Sequence, residues 1–247
     1  LKGVAQLPVP VANQAEPDWQ DDRWNEMRTG RFQSFIVPLP SGTLLKGFSV
    51  LVGEKGEATV CYDTANARML ATWGEGLHLY SGRRFGVVDS PLPAGKVREW
   101  LPVSRGAVDG AAHWNGFNVS GSRVVVRSDS AGREVLEFPW WELVENRGAL
   151  TRCFSVSPGE SVVRIPLMKG TSLQSLSSVE SEASLLFSAS TLNGDQLIVA
   201  VGDKKAFRLR LDEVDQTVLL ELPASSNEQQ VKLFFLEQKD ESSDAKQ

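Results

Sequence analysis

The stretch SRVVVRSDSAGREVLEF, residues 122–138, decides the fold class. Two runs of alternating apolar and polar residues flank Ser130-Ala131-Gly132. Period-two alternation gives an extended strand one apolar face, and glycine at 132 supplies the positive φ of a short hairpin loop. The spacing predicts two antiparallel strands joined by a tight turn.

The same signature repeats outward in both directions. FQSFIVP (32–38), LLKGFSVLVG (44–53), ATVCYDT (58–64), RMLATW (68–73) and HWNGFNVSG (113–121) precede it. REVLEFPWWELV (133–144), ALTRCFSVS (149–157), SVVRIPL (161–167), DQLIVAVG (195–202), TVLLELP (217–223) and QVKLFFLEQ (230–238) complete and follow it. Runs rich in Val, Leu and Phe between Gly, Asn, Asp or Ser turns specify strands. With 247 residues, the chain has room for one large β domain or two modest ones. The expected fold is all-β: a large antiparallel two-layer sandwich, or two packed β-sandwiches, with one short N-terminal helix. That helix is DWQDDRWNEMRTG (18–30), capped by Asp18 and ended by Gly30. Residues 1–17, rich in Pro, Ala and Val, read as an extended arm or linker. The Ser-rich stretch KGTSLQSLSSVESE (169–182) marks a soft boundary. Residues 18–168 are then a sandwich or its first half, and 169–236 a second β subdomain or a continuation. The charged segment 237–247 reads as a disordered tail or a link.

Composition excludes several functions. The net charge of −5 comes from 26 basic and 31 acidic residues, without the concentrated basic surface that nucleic acid requires. No apolar run approaches the roughly 18 residues of a membrane span. The chain starts LKGVAQLPVP, without an initiator methionine or a basic-then-apolar leader, and reads as a mature or excised piece. Cys61 and Cys153 sit in strand-like runs and read as buried free thiols rather than a disulfide. Two Cys and two His without short ligand spacing make no zinc site, and neither LPAGK nor RSDSAGRE fits a phosphate or calcium loop. No cofactor is expected from the residues.

VCYDTANARMLATW (60–73) holds the densest chemistry. As a hairpin, it places Asp63, Thr64 and Asn66 in the turn, where their side chains bond nearby amides. Met69, Ala71 and Trp73 then share one face of the return strand, and Arg68, Leu70 and Thr72 the other, with Arg68 paired to an acid. A short helix capped by Thr64 is the alternative form. Cys61 as a nucleophile requires an imidazole, and His78 and His113 are the only ones. Asp21-Asp22, Glu134 with Glu137, and Glu142 with Glu145 read as helix-start charge or as solvent faces of strands rather than as catalytic pairs. NVS at Asn118 fits a glycosylation acceptor.

Seven tryptophans against two tyrosines shift attention to indole surface. Trp140 and Trp141 are adjacent, so on a strand they point to opposite faces and cannot both enter one core. Exposed indoles stack on sugars and anchor interfaces. Trp114, beside His113, is a second candidate. The candidate ligand-binding set is therefore Trp140, Trp141, Trp114, His113, Asp63, Arg68 and Trp73.

Five segments occur in a telling order: DWQDDRWNEMRTG, LLKGFSVLVG, VCYDTANARMLATWGEGLHL, HWNGFNVSGSRVVVRSDSAGREVLEFP and LTRCFSVSPGE. This order, spanning roughly 18–167, resembles an uncharacterised β-rich domain of large secreted bacterial proteins. Those proteins also carry quinoprotein sugar-dehydrogenase-like propellers and c-type cytochrome modules. The resemblance implies a periplasmic or extracellular location and a neighbourhood of sugar oxidation or electron transfer. It carries over no catalytic residue. The chain has no C-x-x-C-H and attaches no c-type haem itself. The expected function is a non-catalytic module that binds carbohydrate, or docks a cytochrome or quinoprotein in the same or a partner chain, through an aromatic face. A carbohydrate-active enzyme is the alternative, with Asp63, Arg68 and His78 or His113 gathered in a cleft beside a carboxylate. A structural spacer between modules is a further one.

Overall fold

The computed structural model describes residues 30–79, 90–104, 106, 108, 112–176, 184–191 and 194–237. The arm expected over 1–17, the helix expected over 18–30 apart from Gly30, and the tail beyond Glu237 lie outside these residues. The described chain forms β1 (Phe32–Leu39), β2 (Gly42–Val52), β3 (Ala58–Asp63), β4 (Arg68–Trp73), and three two-residue strands, β5 (His78–Leu79), β6 (Leu92–Pro93) and β7 (Arg98–Glu99). It continues with β8 (His113–Ser120), β9 (Arg123–Ser130), β10 (Arg133–Val144), β11 (Arg147–Val156), β12 (Val163–Lys169) and β13 (Ser172–Ser175). The last strands are β14 (Ser184–Thr191), β15 (Gly194–Gly202), β16 (Arg208–Asp212), β17 (Thr217–Leu222) and β18 (Gln229–Glu237). No helix occurs among the described residues, and the fold is an all-β sandwich.

One layer is an eight-stranded sheet in the order β13-β14-β15-β18-β11-β10-β9-β8. The facing layer is composite: a five-stranded sheet, β1-β2-β3-β4-β7, beside a three-stranded sheet, β12-β17-β16. The two are joined where the Lys169 amide donates to the Trp100 carbonyl (2.7 Å). The main core lies between the layers. It takes Val126, Val135, Phe154, Ile198 and Leu233 from the large sheet, Phe48, Val60 and Tyr62 from the five-stranded sheet, and Leu167 and Leu220 from the three-stranded one. A second core, with Val37, Leu70, Trp73 and Leu101, covers the far face of the five-stranded sheet. That is why β3 buries every residue and shows no polar alternation in sequence.

The soft boundary at 169–182 does not separate two bodies. β12, before it, pairs with β17, after it, and β18 lies between β15 and β11. Ser172–Ser175, inside that stretch, forms β13 and pairs with β14. Residues 169–236 thus add strands to both layers. Small polar side chains do not prevent ladder hydrogen bonds when a neighbouring strand offers an open edge.

The deciding hairpin is present, with Arg133 opposite Ser130 and Ala131-Gly132 as the two-residue turn. Both turn residues have positive φ, 52° and 77°. A Cβ in the left-handed region costs about 1 kcal/mol, and asparagine tolerates it better. Ala131 is exposed. Ala131→Asn should therefore raise stability by about 0.5–1 kcal/mol, read as a higher urea midpoint with an unchanged slope. A lowered midpoint would contradict this account of the turn.

The 60–73 hairpin also forms, with one correction. Asp63 faces Arg68 across the turn, but the register shifts between Cys61 and Tyr62, whose partners are Ala71 and Met69. Leu70 is the extra residue. This bulge sends Met69 into the main core, while Leu70, Ala71 and Trp73 enter the second. Met69 therefore does not share a face with Ala71 and Trp73, because a bulge breaks period-two alternation.

Candidate functional site

β10 alternates cleanly. Arg133, Val135, Glu137 and Pro139 are buried, whereas Glu134, Leu136, Phe138 and Trp140 are half-buried on the other side. Trp140 and Trp141 consequently part company. Trp141 faces the five-stranded sheet: a Cβ on Gly148 would lie 2.3 Å from its ring, and one on Gly53 3.2 Å from its Cβ. Trp140 stands on the outer face of the eight-stranded sheet, stacked on Phe138 with ring centres 5.7 Å apart and planes 24° apart.

Strand register builds the rest of this face. Phe138 lies beside Cys153, Cys153 beside Lys232, and Lys232 beside Val201. In the next row Trp140, Thr151, Phe234 and Val199 are successive neighbours. A shallow depression of about 450 Å³ opens here, lined by Val125, Leu136, Phe138, Cys153, Gln230 and Lys232 among others. Cations lie on the aromatic floor. The Arg123 guanidinium sits 5.7 Å from the Phe138 ring centre and 5.5 Å from that of Trp140, and the Lys232 ammonium 4.5 Å from that of Phe234. Lys232 also pairs with Glu142 (2.6 Å) and Arg127 with Glu134 (2.6 Å). At one end Ser155 (2.5 Å) and Gln230 (2.8 Å) donate to Glu228, and these bonds hold its carboxyl below the usual range. Along this face Leu136, Phe138, Trp140 and Cys153 are half-buried, Val201 is exposed and Thr151 is buried.

Most other candidates belong to the architecture. Asp63 is buried and accepts from the Ala65 amide (2.9 Å) and Asn66 Nδ2 (2.7 Å), which closes its turn. Arg68 donates to Ser104 Oγ (2.7 Å) and lies 3.9 Å from Asp63. Trp73 is buried, and its Nε1 donates to the carbonyls of Gly76 (3.0 Å) and Leu77 (2.7 Å). Trp114 points inward, its ring centre 5.5 Å from Phe48 and 6.1 Å from Tyr62. His113 is exposed on edge strand β8 opposite Asp129. His78 is buried between Phe35 and Trp73, with no well-formed hydrogen bond at either ring nitrogen. The two histidines thus stand on different sheets, and among the described residues neither forms an ion pair with a carboxylate. Burial pushes the Cys61 thiol up to about 12, which makes it a poor nucleophile. Of the residues named for a hydrolytic cleft, Asp63 and Arg68 meet at the β3–β4 turn, but neither His78 nor His113 joins them.

Glu134 and Glu137 were expected together on a solvent face. Glu134 is half-exposed, but Glu137 is buried and bonded to Arg152 (2.6 and 3.0 Å) and Tyr62 (2.7 Å). Positions 134 and 137 differ by an odd number, so they must face opposite ways on a strand. The residues that sequence reasoning missed are Arg123, Phe138, Phe234 and Lys232. Phe138-x-Trp140 carried a usable signal, since i and i+2 share a strand face.

Cys61 and Cys153 are both free thiols. Cys61 is fully buried, whereas Cys153 is half-exposed on the outer face. Burial, opposed by the Lys232 charge, raises the Cys153 thiol as well. A thiol reagent should therefore modify one cysteine per folded molecule, slowly at pH 7 and faster as pH rises. Peptide mapping that finds Cys61 labelled before unfolding would contradict this placement. Neither a protein-family model nor a curated relative matches the chain.

Proposed function

We propose that this protein is a carbohydrate-binding module of an exported protein, and that the outer face of the eight-stranded sheet is its binding surface. One observation carries the reading: Trp140 and Phe138, both partly exposed, stack on the outer face of the sheet beside polar Gln230, Lys232 and Glu142. Sugars present an apolar C–H face and hydroxyls at the ring edge. An aromatic floor with a few polar groups around it answers both. The resemblance carried by the ordered motifs over 18–167 implies export and a setting of sugar oxidation, which suits this reading.

Binding isotherms against a panel of soluble neutral and acidic polysaccharides test this. The parent should bind at least one chain saturably, and Trp140→Ala should weaken that binding about tenfold. Trp141→Phe, on the opposite side of the sheet, should leave it unchanged. If no polysaccharide saturates the parent, the carbohydrate reading is lost. Saturable binding of a c-type cytochrome in that case would move the face to redox docking.

A further inference from the structure

We propose that this face selects polysaccharides bearing carboxylates, such as uronate chains, and that Arg123 is the residue that reads their charge. The inference rests on the carbohydrate reading above and narrows its substrate class. Three cations are placed on the outer face by β9 and β18, and two are neutralised in place: Arg127 by Glu134 and Lys232 by Glu142. Arg123 is exposed, and among the described residues no carboxylate pairs with it. Its guanidinium instead rests over Phe138 and Trp140.

That position matters chemically. Ring faces attract the charge of a guanidinium but do not consume its N–H donors. The five donors remain for a planar acceptor, and a carboxylate takes two of them side by side. The two rings also restrict the side chain before any ligand arrives, so less freedom is lost on binding. The chain as a whole carries a charge of −5, so it repels polyanions at long range. An anionic ligand is therefore drawn by this local site and not by net charge. The face runs from Arg123 on β9 across β10, β11 and β18 to Val201 on β15. At about 4.8 Å per strand that is roughly 19 Å, enough for several sugar units in a row. A single free uronic acid would use only part of it.

The experiment compares polygalacturonate with the same polymer after full methyl esterification, which keeps the sugar backbone and removes the charge. Dextran sulfate serves as a polyanion without carboxylates. The parent should bind polygalacturonate at least about tenfold more tightly than the ester. Arg123→Gln should erase the preference for polygalacturonate over the ester while leaving the thermal midpoint unchanged. Trp140→Ala should weaken both. Equal affinity for acid and ester, with Arg123→Gln silent, overturns the charge inference and leaves the carbohydrate reading standing. Equal affinity for dextran sulfate, insensitive to Trp140→Ala, also overturns it, in favour of unselective polyanion attraction. Binding to neither polymer nor to any chain of the panel removes both.

Discussion

Glu137→Ala should cost about 3–5 kcal/mol of folding stability, the largest effect of any single substitution considered. Glu137 and Arg152 form a two-pronged ion pair, 2.6 and 3.0 Å, at 6% and 1% exposure between the two layers. Tyr62, fully buried on the facing sheet, donates to the same carboxylate at 2.7 Å. Burial alone lowers the pKa of Arg152, and the charge and hydrogen bonds of Glu137 reverse this and hold it above its ordinary value. Burial, and then the Glu137 charge, drives the Tyr62 hydroxyl far above its usual range. Both partners are thus locked in their present protonation states at neutral pH. Alanine at 137 would leave a guanidinium in the core with no counter-charge and a phenol with no acceptor. A paired replacement tests the reason. Glu137→Met with Arg152→Met removes both charges and keeps the volume, so it should stay within about 2 kcal/mol of the parent. Urea unfolding of the three proteins measures this. A Glu137→Ala protein within about 1 kcal/mol of the parent would show that the pair contributes little.

Acidification should destabilise the protein through His78. Burial lowers its pKa to about 4, with the Leu92 backbone opposing the shift. In the unfolded chain the imidazole titrates near 6.5. Below that pH the unfolded state takes up a proton that the folded state refuses. The His78 contribution is therefore complete above about pH 6.5 and is lost progressively as pH falls to about 4. A gap of that size amounts to about 3 kcal/mol. His78→Phe keeps an aromatic ring between Phe35 and Trp73 and cannot be protonated. Its stability should fall less between pH 7 and pH 4.5 than that of the parent, by roughly 2–3 kcal/mol. Parallel pH profiles for the two proteins would exclude His78 as the source.

Local features were readable wherever neighbours in sequence decide them. The β9–β10 turn needs a residue that accepts positive φ, and Gly132 provides one. Asp63 and Asn66 close the β3–β4 turn with bonds that span two or three residues. Side-chain alternation alone implied that Trp140 and Trp141 face opposite ways. Alternation could not say which of them faces the core. That depends on Gly53 and Gly148, whose missing Cβ atoms make room for Trp141. It could not place Glu137 either, because its partner Tyr62 lies 75 positions away. Nor does a single run of apolar residues reveal a sheet buried on both faces, as β3 is.

The candidate site follows the same division. The amino-acid sequence by itself determined the all-β class, the main hairpins and the presence of a tryptophan on each side of β10, because period two and turn chemistry act over a few residues. Only the tertiary structure decided that Arg123, Phe138, Lys232 and Phe234 join Trp140 on one face, and that residues 169–236 extend the same sandwich. Those outcomes depend on which strands become neighbours. Strand order is set by burying apolar surface across the whole chain, and no local pattern records it.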